Sequence, residues 1–374
     1  FGTTTGELLK LLDYLVAQGV EAAAMESKGV VGAVSNEHRG GYQDWLASNI
    51  LEFTSDAYQT RLFDENNNAV DLPGYRVDAL ADATIRYVAE RSKETQPFFL
   101  FTSYVEPHHQ NQVDDYLAPT GYRERYSGRF TPPDLAALGG SSARHLGGYW
   151  GTIKRLDEAF GRVLEALKSL GIERNTIVLF TSDHGNHFRT RNAEYKRSCH
   201  ESSIRVPTAF CGPGFDGGGR VDELVSLIDL PPTLLDAAGI DLPSAMQGRS
   251  ILQLLRQDAV STDWPDEVLI QISESQTARA CRTKRWKYAV TAAREDANAC
   301  GAERYIEEFL YDLQHDPYEL NNLIGFDSHR AVADRMKQRL TKRMMDAGEQ
   351  KVSIDNAPSK PGGQRRVEKL KVDE

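Results

Sequence analysis

Apolar positions along the chain change their period several times, and each change marks an element. Leu8, Leu11, Leu12 and Leu15 recur at helical spacing between Thr5 and Gln18, and Gly19 stands where that helix would stop. Residues 21–68 show no clear period; Tyr42 and Trp45, close to two glycines, read there as buried aromatic packing. Val77, Leu80, Ala81, Ile85 and Val88 make one helical face, and the run PFFLFTSY from Pro97 to Tyr104 is apolar enough for a strand covered on both faces. Residues 114–144 carry Pro, Gly and Tyr without period and read as a surface excursion that helps wall a pocket. Tyr149, Ile153, Leu156, Phe160, Val163, Leu167 and Leu170 then predict a long helix closed by Gly171. It leads into Ile177 to Phe180, a short run of the kind that forms a buried parallel strand, here reaching Ser182, Asp183 and His184.

Beyond that strand, Val206 to Phe210 predicts another, and 226–240 reads as a loop, a Pro-initiated helix and a Gly stop. Helix alternating with buried strand is α/β logic. The charged, Pro-containing stretch 258–267 marks a domain boundary. Strands over 268–273, 278–290 and 308–313 and a helix over 328–345 follow as a small α+β unit. Arg282, Lys284 and Lys287 alternate along one of those strands and predict a solvated edge protected by charge. The division is 1–257 for the larger domain, 258–347 for the smaller and 348–374 for a loose polar tail.

The chemistry gathers in TIVLFTSDHGNHFRTRNAEYKRSCHESSIRVP, Thr176 to Pro207. Asp183 and His184 can turn to one divalent ion if the backbone twists where the strand ends, a freedom Gly185 supplies. Between Asn186 and Val206, Arg189, Arg191, Lys196, Arg197 and Arg205 face only Glu194 and Glu201, a local charge of +3 in a chain of net charge -10. A cationic island in an acidic chain suggests an anionic substrate. Asp-His-Gly alone is ordinary turn chemistry, so the wider pattern has to decide.

That pattern, SDHG, Lys196 thirteen residues after Asp183, then Glu201 and IRVP, closely resembles the sulfatase family of the alkaline phosphatase superfamily. The resemblance covers residues from about 35 to about 347, with RTKRWKY and FLYDLQHDPYELNNL matching the family's C-terminal subdomain. It implies an alkaline-phosphatase-like mixed sheet flanked by helices, with a smaller C-terminal α+β subdomain. It implies metal ligation by Asp183 and His184, and sulfate contact by Lys196 as anion clamp. His108, in Glu106-Pro107-His108-His109, matches the family's Pro-His and would contact the sulfate and the leaving oxygen, with Arg189 and Arg191 as further substrate-binding cations. Gln110 stands where the family has Pro, which leaves open whether His108 or His109 faces the substrate. The implied metal is Ca2+; the His184 imidazole suits Mn2+ better than Ca2+, and Mg2+ is a further candidate.

Two family features are not found ahead of Asp183: a pair of acidic ligands on an early strand, and Cys-x-Pro-x-Arg or a variant, whose Cys or Ser becomes the formylglycine nucleophile. Cys300-Gly301-Ala302-Glu303-Arg304 fits a loose form but lies between C-terminal strands, and we reject it. The expectation is a sulfuric ester hydrolase truncated at its N-terminus, with the formylglycine in the missing segment and the chain inactive alone. The rivals are a phosphodiesterase or phosphonate monoester hydrolase of the same superfamily, and a non-catalytic remnant that binds anions.

Composition narrows the partners. With 374 residues, 40% hydrophobic and 26% charged, the chain can bury a large core. No window of 18 apolar residues predicts a membrane span, and a pI near 5.5 with interleaved charges argues against nucleic acid. A small anionic sulfate ester is the expected partner. Four scattered cysteines read as reduced structural thiols, and localisation leans to the cytoplasm.

Overall fold

The structure, a computed structural model, describes residues 32–255, 263–297 and 299–360. The helix expected over 5–18 lies outside them. After the one-turn helix Leu51–Thr54 comes a hairpin, β1 (Gln59–Phe63) antiparallel to β2 (Ala69–Pro73). It falls in the stretch without a recognised period; its signal is the Asn66-Asn67-Asn68 turn, where Asn67 takes φ 63°. Helix α1 (Arg76–Arg91) buries Val77, Leu80, Ala81 and Val88 of the predicted stripe, with Ile85 half-buried, and Val77 and Ala81 pack with Leu156 and Ala159 of a second long helix. Fully burying a Val or Leu there contributes roughly 1.5–3 kcal/mol.

Between them, 97–104 runs extended but forms no strand. Phe98, Leu100, Thr102 and Tyr104 are half covered, whereas Phe99 and Phe101 are 61% and 60% exposed. Two-sided coverage is therefore not found: an apolar run becomes a strand only where another backbone pairs with it, and none does among the described residues. Tyr42, expected to be buried, is exposed and stacks on Phe99.

The 114–144 excursion contains the short helix α2 (Tyr122–Tyr126), which lies along α3 (Ser142–Ser169). Close approach of the two accounts for glycines in α3: a Cβ on Gly147 would sit 3.0 Å from the Arg123 carbonyl of α2, and one on Gly151 would sit 3.0 Å from the Tyr122 Cβ. Strand β3 (Val178–Phe180) follows and pairs with β4 (Ala209–Cys211). The pairing is antiparallel and β3 is half-buried, which corrects the expected buried parallel strand. Helix α4 (Leu230–Ala237), with Pro in its first turn, completes this lobe.

The C-terminal sheet has five strands in sequential order: β5 (Glu267–Ser273), β6 (Thr277–Thr283), β7 (Trp286–Ala292), β8 (Arg304–Asp312) and β9 (Ser353–Asp355). All neighbours are antiparallel except β9, which runs parallel to β8. Helix α5 (Arg330–Asp346) packs Met336, Leu340 and Met344 onto Tyr288, Val290, Tyr305 and Leu310. Three expectations change here. The single strand over 278–290 is a hairpin that turns between Thr283 and Trp286. Its charges are not an edge, because β6 and β7 are interior and Lys287 is fully buried. The tail is ordered at 353–360, where Ile354 and Ala357 pack on the core; 361–374 lie outside the described residues.

Candidate functional site

Two segments build the site, the loop after the extended run and the loop after β3. The first is anchored by a buried ion pair: Arg76 Nη2 lies 2.8 Å from Glu106 Oε1, with both side chains almost fully shielded from water. A cis peptide joins Glu106 to Pro107, and His108 and His109 follow. The second is pinned at Gly185, whose N–H donates to the Ser203 carbonyl at 2.7 Å. A Cβ on Gly185 would meet the Ser202 carbonyl at 2.2 Å. Close packing requires the glycine there, rather than the backbone twist expected of it.

The structure brings His108, His184, Lys196 and Asp183 together. His108 Nε2 is 3.2 Å from Lys196 Nζ and 2.8 Å from the Tyr195 hydroxyl. The His108 and His184 rings lie 6.1 Å apart, and His184 Nε2 is 3.6 Å from Asp183 Oδ2. Since an ammonium offers only protons, His108 Nε2 accepts, and a neutral ring carries its proton on Nδ1, 3.8 Å from Glu52 Oε2. Burial first, then the Lys196 charge, push the His108 pKa down to about 4. Burial and then Arg197 lower that of Lys196, and burial lowers that of His184 against the opposing pull of Asp183. The Tyr195 hydroxyl is raised to about 12, mainly by burial and then by Glu52. A half-buried ammonium between a guanidinium and two imidazoles marks a place suited to an anion.

His109 points elsewhere, to Asp114 Oδ1 at 3.1 Å, so His108 is the imidazole that meets Lys196. Arg189 and Arg191 are committed to other partners: Arg189 donates to Asp114 Oδ1, and Arg191 to the carbonyls of Tyr318 and Glu319. Tyr195 and Glu52 were not singled out from sequence; Tyr195 adjoins Lys196, but Glu52 lies in the segment without a period. Cys300 sits at the edge of the C-terminal sheet, its carbonyl accepting from Arg279 and Ser273.

As for a metal, Asp183 and His184 offer one oxygen and one nitrogen toward a common point. His184 Nδ1 lies 2.8 Å from the Gly185 carbonyl, which fixes the proton there and leaves Nε2 its lone pair on the side of Asp183. The pair fits as two ligands of a divalent ion.

A family model described as Sulfatase matches residues 6–240. The chain belongs to the sulfatase family. A second model, described as N-sulphoglucosamine sulphohydrolase, C-terminal, matches residues 193–346 of this sulfatase. An ulvan-active sulfatase of Formosa agariphila is 26% identical over 85% of this chain and 61% of its own length. Arylsulfatase K of Mus musculus is 32% identical over 54% of this chain and 35% of its own. The chain thus spans about three-fifths and one-third of these relatives. Among solved structures, a putative sulfatase from Bacteroides fragilis superposes with TM-score 0.73 at 22% identity, covering 91% of this chain and 77% of that one. Another, in complex with its substrate D-glucosamine-2-N,6-O-disulfate, gives TM-score 0.64 at 18% identity, covering 90% and 82%. These likenesses establish the alkaline-phosphatase-like α/β fold.

Proposed function

We propose that the chain is the greater part of a hydrolase that cleaves a sulfate monoester, with a sulfated saccharide as the substrate class. One observation carries the reading: the Lys196 ammonium meets His108 Nε2 at 3.2 Å, beside the Asp183–His184 pair, and among the described residues no carboxylate lies within ion-pair distance of Lys196. The names of the ulvan-active relative and of the disulfated glucosamine complex support the saccharide.

Lys196 donates to the sulfate oxygens, a contact that strengthens as charge builds on them in the transition state. The bound anion draws the ammonium off His108 Nε2 and adds negative charge nearby, so the part of the ring's depressed basicity that Lys196 causes is offset on binding. His108 then holds a proton for the departing alcohol oxygen, and the Tyr195 hydroxyl orients the ring. Held by Asp183 and His184, a divalent cation, Ca2+ or a nitrogen-tolerant ion such as Mn2+, supplies charge neutralisation to the sulfate. Arg189 and Arg191 contribute positive field rather than direct contact.

The formylglycine nucleophile and two further acidic ligands belong, on this reading, to sequence outside these 374 residues. Incubating the chain with Ca2+ and an aryl sulfate is expected to release no phenol, and clear turnover would overturn the truncation reading. Extending the chain upstream and repeating the assay is expected to restore activity; an active-site cysteine motif with no sulfate release would overturn the sulfatase reading. A phosphonate monoester hydrolase from Silicibacter pomeroyi superposes with TM-score 0.54, which favours one second reading, hydrolysis of phosphonate or phosphate esters. Comparing rates of the extended protein on sulfate monoesters and phosphate diesters separates the two.

A further inference from the structure

Behind His108 lies a second cluster that the reaction does not use. Among the described residues, His109, Asp114 and His145 form a group whose ligand atoms all lie within 4.8 Å of one another. His145, in the first turn of α3, is 1% exposed, and neither of its ring nitrogens has a hydrogen-bond partner among the described residues. An imidazole buried with both nitrogens unsatisfied is costly, and such a group calls for an explanation.

His109 raises a separate problem of proton placement. Asn111 Nδ2 donates to Glu52 Oε2 at 3.4 Å, which turns Asn111 Oδ1 toward His109 Nδ1 at 3.3 Å and makes that nitrogen the donor. The opposite nitrogen, Nε2, faces Asp114 Oδ1 at 3.1 Å. In a neutral ring that places a lone pair against a carboxylate oxygen, an arrangement relieved by a second proton on the ring or by a metal ion between them. Ligand atoms around a tetrahedral zinc ion are roughly 3.3 Å apart, so the His109 to Asp114 spacing already suits one.

We propose that His109, Asp114 and His145 form a transition-metal site, suited to Zn2+, that staples the loop carrying His108 to the start of α3. Two imidazoles and one carboxylate are a zinc donor set, whereas Ca2+ and Mg2+ prefer oxygen throughout. The Asn111 contact to His109 Nδ1 is the outer support that metal-bound histidines ordinarily have. Arg144, 2.9 Å from Asp114 Oδ2, and Arg189, 2.8 Å from Oδ1, hold the carboxylate in place but repel a dication. The site is therefore weaker than a closed four-ligand one and exchanges its ion. The partly exposed side, by Asp114, leaves the fourth position to water.

The test is calorimetric titration of the whole chain with ZnCl2, in the wild type, His145→Asn and Asp183→Asn. One Zn2+ is expected to bind the wild type and Asp183→Asn alike, within about twofold, and His145→Asn about tenfold or more weakly. Absence of Zn2+ binding, binding unchanged in His145→Asn, or binding lost in Asp183→Asn alone would each overturn the proposal. Should His145→Asn fail to fold, anomalous scattering at the zinc edge from wild-type crystals decides: a peak among the three side chains supports the site, and its absence refutes it. The outcome is independent of the sulfatase reaction, since no turnover is measured.

Discussion

The junction of the two lobes and the candidate site treat buried charge in opposite ways. At the junction Lys287, on β7, is fully buried and paired twice, to Glu201 at 2.8 Å and Glu319 at 2.6 Å. Glu319 Oε2 also accepts the Glu201 N–H at 2.7 Å, and Arg282 reaches Glu201 at 3.3 Å. Burial would raise the Glu201 carboxyl, but Lys287 and Arg282 bring it below its ordinary value; for Glu319 burial prevails over Lys287 and it ends raised. At the site, Lys196 and His108 face each other; burial and then the Lys196 charge lower the proton affinity of His108, and burial and then Arg197 lower that of Lys196. The junction satisfies its buried charges internally. The site leaves the Lys196 ammonium against an imidazole, free to take an anion.

Breaking the paired region is expected to produce the largest effect. Lys287→Met leaves two carboxylates buried without their cation, which costs about 3–5 kcal/mol in unfolding free energy. Urea denaturation measures it, and the double variant Lys287→Met with Glu319→Gln is expected to recover part of the loss. Because Glu201 opens the one-turn helix five residues after Lys196, sulfate binding should weaken as well. A loss below about 1 kcal/mol would mean the pair behaves as a solvated surface bridge.

Removing a charge from the unpaired region is expected to act with the opposite sign on stability. Lys196→Ala should weaken inorganic sulfate binding roughly 10- to 100-fold, the value of a hydrogen bond to a charged group, about 1.5–3 kcal/mol. Melting temperature should stay level or rise, because a cation beside His108 and Arg197 has gone. The His108 ring should also titrate above its value of about 4, readable by NMR. A clear fall in melting temperature would show that Lys196 is a structural cation, and the contrast between junction and site would fail.

The same contrast explains what could be read from the chain alone. Asp183, His184 and Lys196 lie within fourteen consecutive residues, so a local pattern was enough to single them out, and His108 carried its Pro-His context. The helix over 76–91 and the 149–169 part of α3 were visible because a helix satisfies its own backbone; the first two turns of α3, 142–148, fell outside the apolar stripe. Strands depend on partners far along the chain. The β3 pairing with β4, the unpaired run 97–104 and the attachment of β9 to β8 were therefore not legible. Lys287 misled for the same reason: alternating charge looks like a solvated edge until Glu201 and Glu319, 86 and 32 residues away, close over it.

His200 offers the finest probe, because it sits where the lobes meet. Its Nε2 lies 3.1 Å from the Tyr311 hydroxyl, its ring packs against Phe309, and its Nδ1 has no partner. Burial, then Arg191 and Lys287, hold its pKa down to about 2, and burial holds His187 at about 4. Both folded values lie below the unfolded value near 6.5, so the unfolded chain binds more protons across this range. Their contribution to stability is complete above pH 6.5 and is lost as pH falls, through about 4 for His187 and about 2 for His200. At pH 5 each ring should have cost roughly 1–2 kcal/mol relative to pH 7. His200→Asn removes one titration, so the slope of unfolding free energy against pH between 6.5 and 5 should become shallower by about one proton's worth. A slope unchanged in that variant would mean that His200 is hydrated in solution, and that the junction is as open to water as the site.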